Sequence, residues 1–87
     1  MKNNHPKQRV AWNIRRIRVR QGLSQEQLAT DSSIDTSYIS RLERALENPT
    51  IGTLDRIAKA LGVGTADLLA KPRGKAPKPL PGGRKPR

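Results

Sequence analysis

Residues 36–44 read TSYISRLER. On a helix, Thr36, Ser37, Ser40, Arg41 and Arg44 share one face, a run of hydroxyls and guanidiniums with no carboxylate. These groups donate hydrogen bonds and carry positive charge, so the chemistry on offer is recognition of an anionic, acceptor-rich surface. Bond-breaking chemistry lacks its parts. The 87 residues include no cysteine and one histidine, His5, whose place near the N-terminus predicts a solvated side chain. There is no nucleophile with an adjacent base, no thiolate for a metal, and no histidine cluster. The seven acids are dispersed, and no glycine-rich phosphate loop follows a strand. The expectation is a protein that is not an enzyme and holds no cofactor or metal.

The charge balance fits such a face. The formal net charge is +11, unevenly placed. Residues 71–87, KPRGKAPKPLPGGRKPR, hold seven Lys or Arg and no acid, leaving 11 bases against 7 acids, or +4, in residues 1–70. A polyanion is implied, nucleic acid before membrane, because no segment joins a broad apolar face to a basic one. The first twenty residues hold seven Lys or Arg and no apolar run, so neither signal peptide nor membrane span is expected, and the cytoplasm is the expected location.

To position the face, the chain must fold as helices, and its punctuation predicts five. Residues 1–5 are read as a flexible start, 6–70 as one small all-α domain, and 71–87 as a tail, since that stretch holds five of the seven prolines and three of the seven glycines. The first helix spans residues 6–21, with Pro6 in its first turn, Val10, Ile14 and Ile17 as its apolar stripe, and Gly22 at its end. Trp12 and Val19, seven apart on another side, are read as a secondary core contact. A capping box of Ser24 and Gln27 opens the second helix, with Leu23 and Leu28 as a hydrophobic staple; Asp35 caps the third, with Ile34 and Ile39 as its staple. Thr50 caps a fourth helix carrying Leu54, Ile57, Ala58 and Leu61 and closed by Gly62; Thr65 caps a short fifth holding Leu68 and Leu69.

The second and third helices form a unit. Two helices crossing steeply through a short turn need a small residue at the crossing, and Ala29 follows Gln25 by four, with Ile39 and Leu42 fourteen and seventeen residues on. Leu28, Ile34, Ile39 and Leu42 supply the seam beneath.

The segments GLSQEQLA, IDTSYISRLER and PTIGTLDRIAKALGV, at this spacing, resemble the lambda and 434 repressor-like (Cro/C1-type, XRE) helix-turn-helix domains over about residues 8–70, and more weakly the controller proteins of restriction–modification systems. One departure is Ser33, where the family carries glycine: serine at positive φ is strained, which predicts a slightly reshaped turn. The resemblance implies that Gln25 bonds a DNA phosphate and braces the recognition helix. It implies that Thr36, Ser37, Ser40 and Arg41 face base edges in the major groove, and that Tyr38, Arg44, Asn48, Thr50 and Thr53 hold the DNA backbone. Arg18 and Glu43 match an internal salt bridge of the family. Arg15, Arg16 and Arg20 are kept as electrostatic background.

The function so implied is a sequence-specific transcriptional regulator that binds double-stranded DNA as a homodimer on a two-fold-related operator. Val63, Leu68 and Leu69 are the expected dimer surface, as apolar groups beyond what a core this small can bury. The competing class is a helix-turn-helix used for protein binding, as an antiactivator or antitoxin. The outer face of the third helix argues against it, having no aromatic or aliphatic anchor. No ligand domain fits in this length, so no small-molecule ligand is expected. The tail's PGGRKPR loosely resembles AT-hook peptides of the minor groove, but a basic segment adding sequence-independent attraction to phosphates is the preferred reading.

Overall fold

The computed structural model describes residues 5–72; residues 1–4 and 73–87, with most of the expected tail, lie outside the described part. Among the described residues the secondary structure is wholly helical: α1 (Pro6–Arg20), α2 (Gln25–Ser32), α3 (Thr36–Glu43), α4 (Ile51–Leu61) and α5 (Thr65–Leu69). No helix among them is long and apolar enough to cross a membrane.

Local chemistry explains the boundaries. Pro6 opens α1, and His5 does more than sit in solvent: as N-cap, its Nδ1 accepts a hydrogen bond from the Lys7 amide at 3.3 Å. The helix stops where Gly22 turns left-handed at φ +74°, which lets the Gly22 and Leu23 amides bond back to the Val19 and Arg18 carbonyls. Ser24 and Gln27 form a reciprocal capping box at the start of α2. Thr50 accepts from the Thr53 amide at 3.1 Å and so caps α4.

Two caps differ from the sequence reading. Asp35 occupies the N-cap position of α3, but its carboxylate makes no bond to the helix backbone and accepts from the Ser37 hydroxyl at 3.3 Å instead. At α5 the cap is Gly64, not Thr65, which is the first helical residue. The Asp67 carboxylate reaches back to the Gly64 amide at 2.8 Å, so an acid inside the helix secures the terminus.

The apolar stripes converge on one core: Val10, Ile14 and Ile17 of α1; Leu28 and Ala29 of α2; Ile39 and Leu42 of α3; Leu54, Ile57, Ala58 and Leu61 of α4; and Leu68 of α5. The staple residues Leu23 and Ile34 pack against it. Trp12 and Val19 are half-buried but stand outside both the cluster and the residues packed on it. Leu68 corrects the expected dimer surface. It is 0% exposed, because five short helices leave a central gap that α5 fills, so it is unavailable to a partner.

Polar fasteners hold the shorter elements. The buried Asn13 amide donates to the Leu68 and Ala70 carbonyls at 2.9 and 2.8 Å, tying α5 to α1. Gln21 donates to the Leu61 carbonyl at 2.7 Å and satisfies the end of α4.

The turn between α2 and α3 is not reshaped by serine. Ser33 takes φ 59°, ψ 43°, close to the ideal left-handed conformation, and the Ile34 amide bonds back to the Ala29 carbonyl at 2.9 Å. Arg56 of α4 holds this strained turn from outside, its Nε donating to the Ser32 carbonyl at 3.2 Å and its Nη2 to the Ser33 carbonyl. The side chain of Ser33 is exposed, so glycine there relieves strain and loses no packing. Ser33→Gly is predicted to raise unfolding free energy by about 1 kcal/mol in urea titration. A variant no more stable than the parent would show that serine is unstrained here.

Candidate nucleic-acid interface

The site begins with the orientation of α3. Ile39 and Leu42 are wholly buried and point the helix's apolar side inward. Thr36, Ser37, Ser40, Arg41 and Arg44 then occupy the opposite arc at 100° per residue. Thr36, Ser37 and Arg44 are exposed, while Ser40 and Arg41 are half-buried.

Glu43 lies between these two arcs and takes the central part in fixing the helix. Its Oε2 accepts from Arg18 Nε at 2.6 Å and its Oε1 from Arg18 Nη2 at 2.9 Å, a two-pronged ion pair between α1 and α3. The same Oε1 accepts from Gln25 Nε2 at 3.1 Å, which brings in the first residue of α2. Arg18 Nη1 donates to the Leu23 carbonyl at 2.7 Å, adding the loop before α2. The side chains are 12% and 3% exposed. Charges so far out of water are tolerated only with partners in place, and here both have them.

The other flank of α3 is organised around Arg41. Its guanidinium lies 5.9 Å from the centre of the Tyr38 ring, and its Nε donates to Glu47 Oε2 at 2.7 Å. Tyr38 packs against the core. Burial first, and the nearby Glu47 carboxylate second, push its phenol above the ordinary tyrosine pKa, outweighing the opposite pull of Arg41. The hydroxyl therefore keeps its proton at neutral pH and remains a hydrogen-bond donor.

The remaining candidates lie beyond α3. Asn48 and Thr50 are exposed and Thr53 is half-buried. Thr50 Oγ1 lies 3.0 Å from Thr53 Oγ1, so these hydroxyls sit together at the N-terminus of α4, where the helix presents positive potential. Gln25 comes to the α3 flank through Glu43. Of the expected partner surface, Val63 is half-buried against the core and Leu69 is 41% exposed. The more exposed large apolar groups lie elsewhere, Leu46 at 58% on the connection after α3 and Ile51 at 76% as the first residue of α4. On α1, Arg15 and Arg20 are exposed; Arg16 is half-buried, and burial followed by the nearby Arg20 lowers its pKa.

Sequence reasoning passed over three residues of this arrangement. Glu47 and Ala45 shape the Arg41 flank, and Arg56 clamps the turn that delivers α3. Ala45 has φ 62°, a conformation alanine rarely adopts, and an alanine carries no sign of that in a sequence. Arg56 serves carbonyls 24 and 23 residues away, which no local spacing discloses.

The Arg18–Glu43 pair generates a test. Glu43→Ala leaves the Arg18 charge partly buried without a partner and is predicted to lower unfolding free energy by about 3–5 kcal/mol. Replacing both, with Arg18→Met and Glu43→Leu, should recover most of that loss. A single-variant loss below about 1 kcal/mol in denaturant titration would equate the pair with an ordinary surface bridge.

Comparison with known proteins agrees with this geometry. A model of the helix-turn-helix family HTH_3 matches residues 14–68. The chain is similar to the hypothetical transcription factor NHTF from Neisseria, at 35% identity over 83% of each chain and a TM-score of 0.79. It is similar to the restriction–modification controller protein C.AhdI from Aeromonas hydrophila, at 33% identity, covering 69% of this chain and 91% of that one, with a TM-score of 0.67. A third likeness is to the controller protein C.Esp1396I, whose tetramer is known in complex with its natural 35 base-pair operator: 40% identity, 69% of this chain, 79% of that one, TM-score 0.65. Among curated proteins no relative is found. The family match spans more than half of the chain, and relatives of 33–35% identity superpose on it at TM-scores of 0.67–0.79, so the chain belongs to the Cro/C1-type helix-turn-helix family.

Proposed function

We propose that this chain is a sequence-specific regulator of transcription that binds double-stranded DNA through α3 and acts as a homodimer on a two-fold-related operator. The observation that carries the reading is the outer face of α3, hydroxyls and guanidiniums without an acid, on a helix held by Arg18, Glu43 and Gln25. Thr36, Ser37, Ser40 and Arg41 read base edges in the major groove, where hydroxyls suit any edge and arginine suits guanine. Gln25, Tyr38, Arg44, Asn48, Thr50 and Thr53 contact phosphates, the threonines assisted by the N-terminus of α4. One α3 covers only a few base pairs, so two are needed, ~34 Å apart. The partner surface draws on Leu69 with Val63 beside it. The likeness to a controller protein captured on its operator supports DNA as the ligand.

Selection of bound fragments from random DNA tests the reading directly. Arg41→Ala should relax one base position in each half-site and weaken specific binding by about 1–3 kcal/mol. Gln25→Ala should weaken all sequences alike, because a phosphate contact carries no base information. A parent protein that enriches no motif, but retains an unrelated protein through Leu46 and Ile51, would replace DNA with a protein partner.

Assembly is tested separately. Leu69→Glu puts a charge where an apolar contact is proposed while leaving Leu68 in the core. It should give a folded monomer with poor operator affinity. Sedimentation showing an unchanged dimer would move the interface elsewhere.

A further inference from the structure

We infer that Glu47 is a specificity-determining residue that acts through Arg41: it holds the guanidinium in one pose, with its outer edge presented for a guanine. The inference rests on the DNA-binding reading and adds a residue to which that reading gives no part.

Helix α3 ends in a reversal at Ala45, where φ 62° allows the Ala45 and Leu46 amides to bond back to the Leu42 and Arg41 carbonyls at 3.0 and 2.9 Å. A non-glycine residue held left-handed is strained by about 1 kcal/mol or more, and persists only where the surroundings over-determine it. The bond from Leu46 to the Arg41 carbonyl returns the chain along α3, so Glu47 arrives beside the Arg41 side chain. The reversal also leaves Leu46 58% exposed, an unfavourable placement for a leucine.

The contact itself is selective. Glu47 takes the Nε edge of Arg41 at 2.7 Å, and the Tyr38 ring lies 5.9 Å from the guanidinium carbon. Tyr38 is fixed by the core beneath it. An arginine has five donors in a rigid plane, so fixing Nε on one side sets the direction of the two terminal nitrogens on the other. Among the described residues those terminal nitrogens form no hydrogen bond, and they match the O6 and N7 acceptors of guanine. A free arginine would have to give up its side-chain entropy on binding, whereas one held on two sides loses less. The carboxylate also offsets the charge of Arg41, so phosphates attract it less and a correct base is favoured over a wrong one.

The test combines fragment selection with binding titrations on the parent, Glu47→Ala, Glu47→Gln, Arg41→Ala and the Arg41→Ala/Glu47→Ala pair. Expected for Glu47→Ala is a loss of about tenfold in discrimination at the base pair that Arg41→Ala also relaxes, with unchanged thermal stability and unchanged or tighter binding to random DNA. Glu47→Gln, whose amide oxygen still accepts from Nε, should keep most of the discrimination. In the Arg41→Ala background, Glu47→Ala should change nothing further at that position. The inference is overturned if Glu47→Ala keeps the parental motif, or tightens the cognate site without changing the motif; the latter would make Glu47 a competitor for Arg41. It also fails if discrimination is lost at a different base pair. A parent that selects no motif brings down the DNA-binding reading itself, whereas a parent with a clear motif indifferent to Glu47 brings down only this inference.

Discussion

The outer face of α3 is usable only if the helix cannot rotate or tilt, and the Arg18–Glu43 pair is what prevents it. Apolar packing alone constrains a helix of eight residues poorly, because Ile39 and Leu42 give α3 just two wholly buried anchors. The ion pair adds direction. A guanidinium engaging both oxygens of a carboxylate defines a plane, and the further bonds from Gln25 and to Leu23 extend that plane into α2 and the loop before it. The carboxylate joins three helices, and Arg18 adds the loop before α2. Because Glu43 is nearly inaccessible, the pair depends on both members: removing Arg18 leaves a buried carboxylate without its countercharge, and removing Glu43 does the same to the guanidinium.

The path of the chain around this lock is set by left-handed residues. Gly22, Ser33, Ala45 and Gly62 all have positive φ, and after each of them the next amide bonds back into the helix just finished. Four reversals of one type explain how five helices fit in fewer than seventy residues with connections so short. Only two of the four are glycine. At Ser33 the strain is opposed by Arg56, which satisfies the two carbonyls of the turn. At Ala45 the chain gains the contact of Glu47 with Arg41.

This contrast also explains what the sequence could and could not disclose. Periodicity and capping chemistry are local, and they were legible: the core stripes, the Ser24–Gln27 box, Thr50 as a cap and the glycine ends all follow from spacing over a few residues. The failures share the opposite character. Leu68 and Leu69 are adjacent leucines in a five-residue helix, and nothing in their spacing tells which one fills the core; the structure buries Leu68 and exposes Leu69. Thr65 is the better capping residue by type, yet Asp67 secures Gly64 instead. Asn13 reads as a polar interruption of α1, and its role depends on carbonyls 55 and 57 residues away. Arg56, Glu47 and Ala45 are likewise defined by what the tertiary fold brings beside them. For the face of α3 the sequence supplied the residue types, and the family resemblance supplied the roles.

The distribution of charge completes the division of labour on this surface. Several cations of the folded part are already engaged: Arg18 by Glu43, Arg41 by Glu47, Lys59 by Asp55 at 3.1 Å, and Arg56 by backbone carbonyls. On the outer arc of α3 this leaves Arg44, whose Nε makes only a long 3.4 Å contact to the Ser40 carbonyl, as the cation without a carboxylate partner. The arc is therefore polar more than charged, suited to hydrogen bonding with bases and poor at attracting phosphates from a distance. Sequence-independent attraction scales with the number of phosphates neutralised. On the proposed DNA-binding reading, most of it falls to cations outside that arc: the arginines of α1 and the seven Lys and Arg of residues 71–87. Under that proposal, general attraction to phosphates and the reading of bases by α3 rest largely on different parts of the chain, so the first can change with little effect on the second.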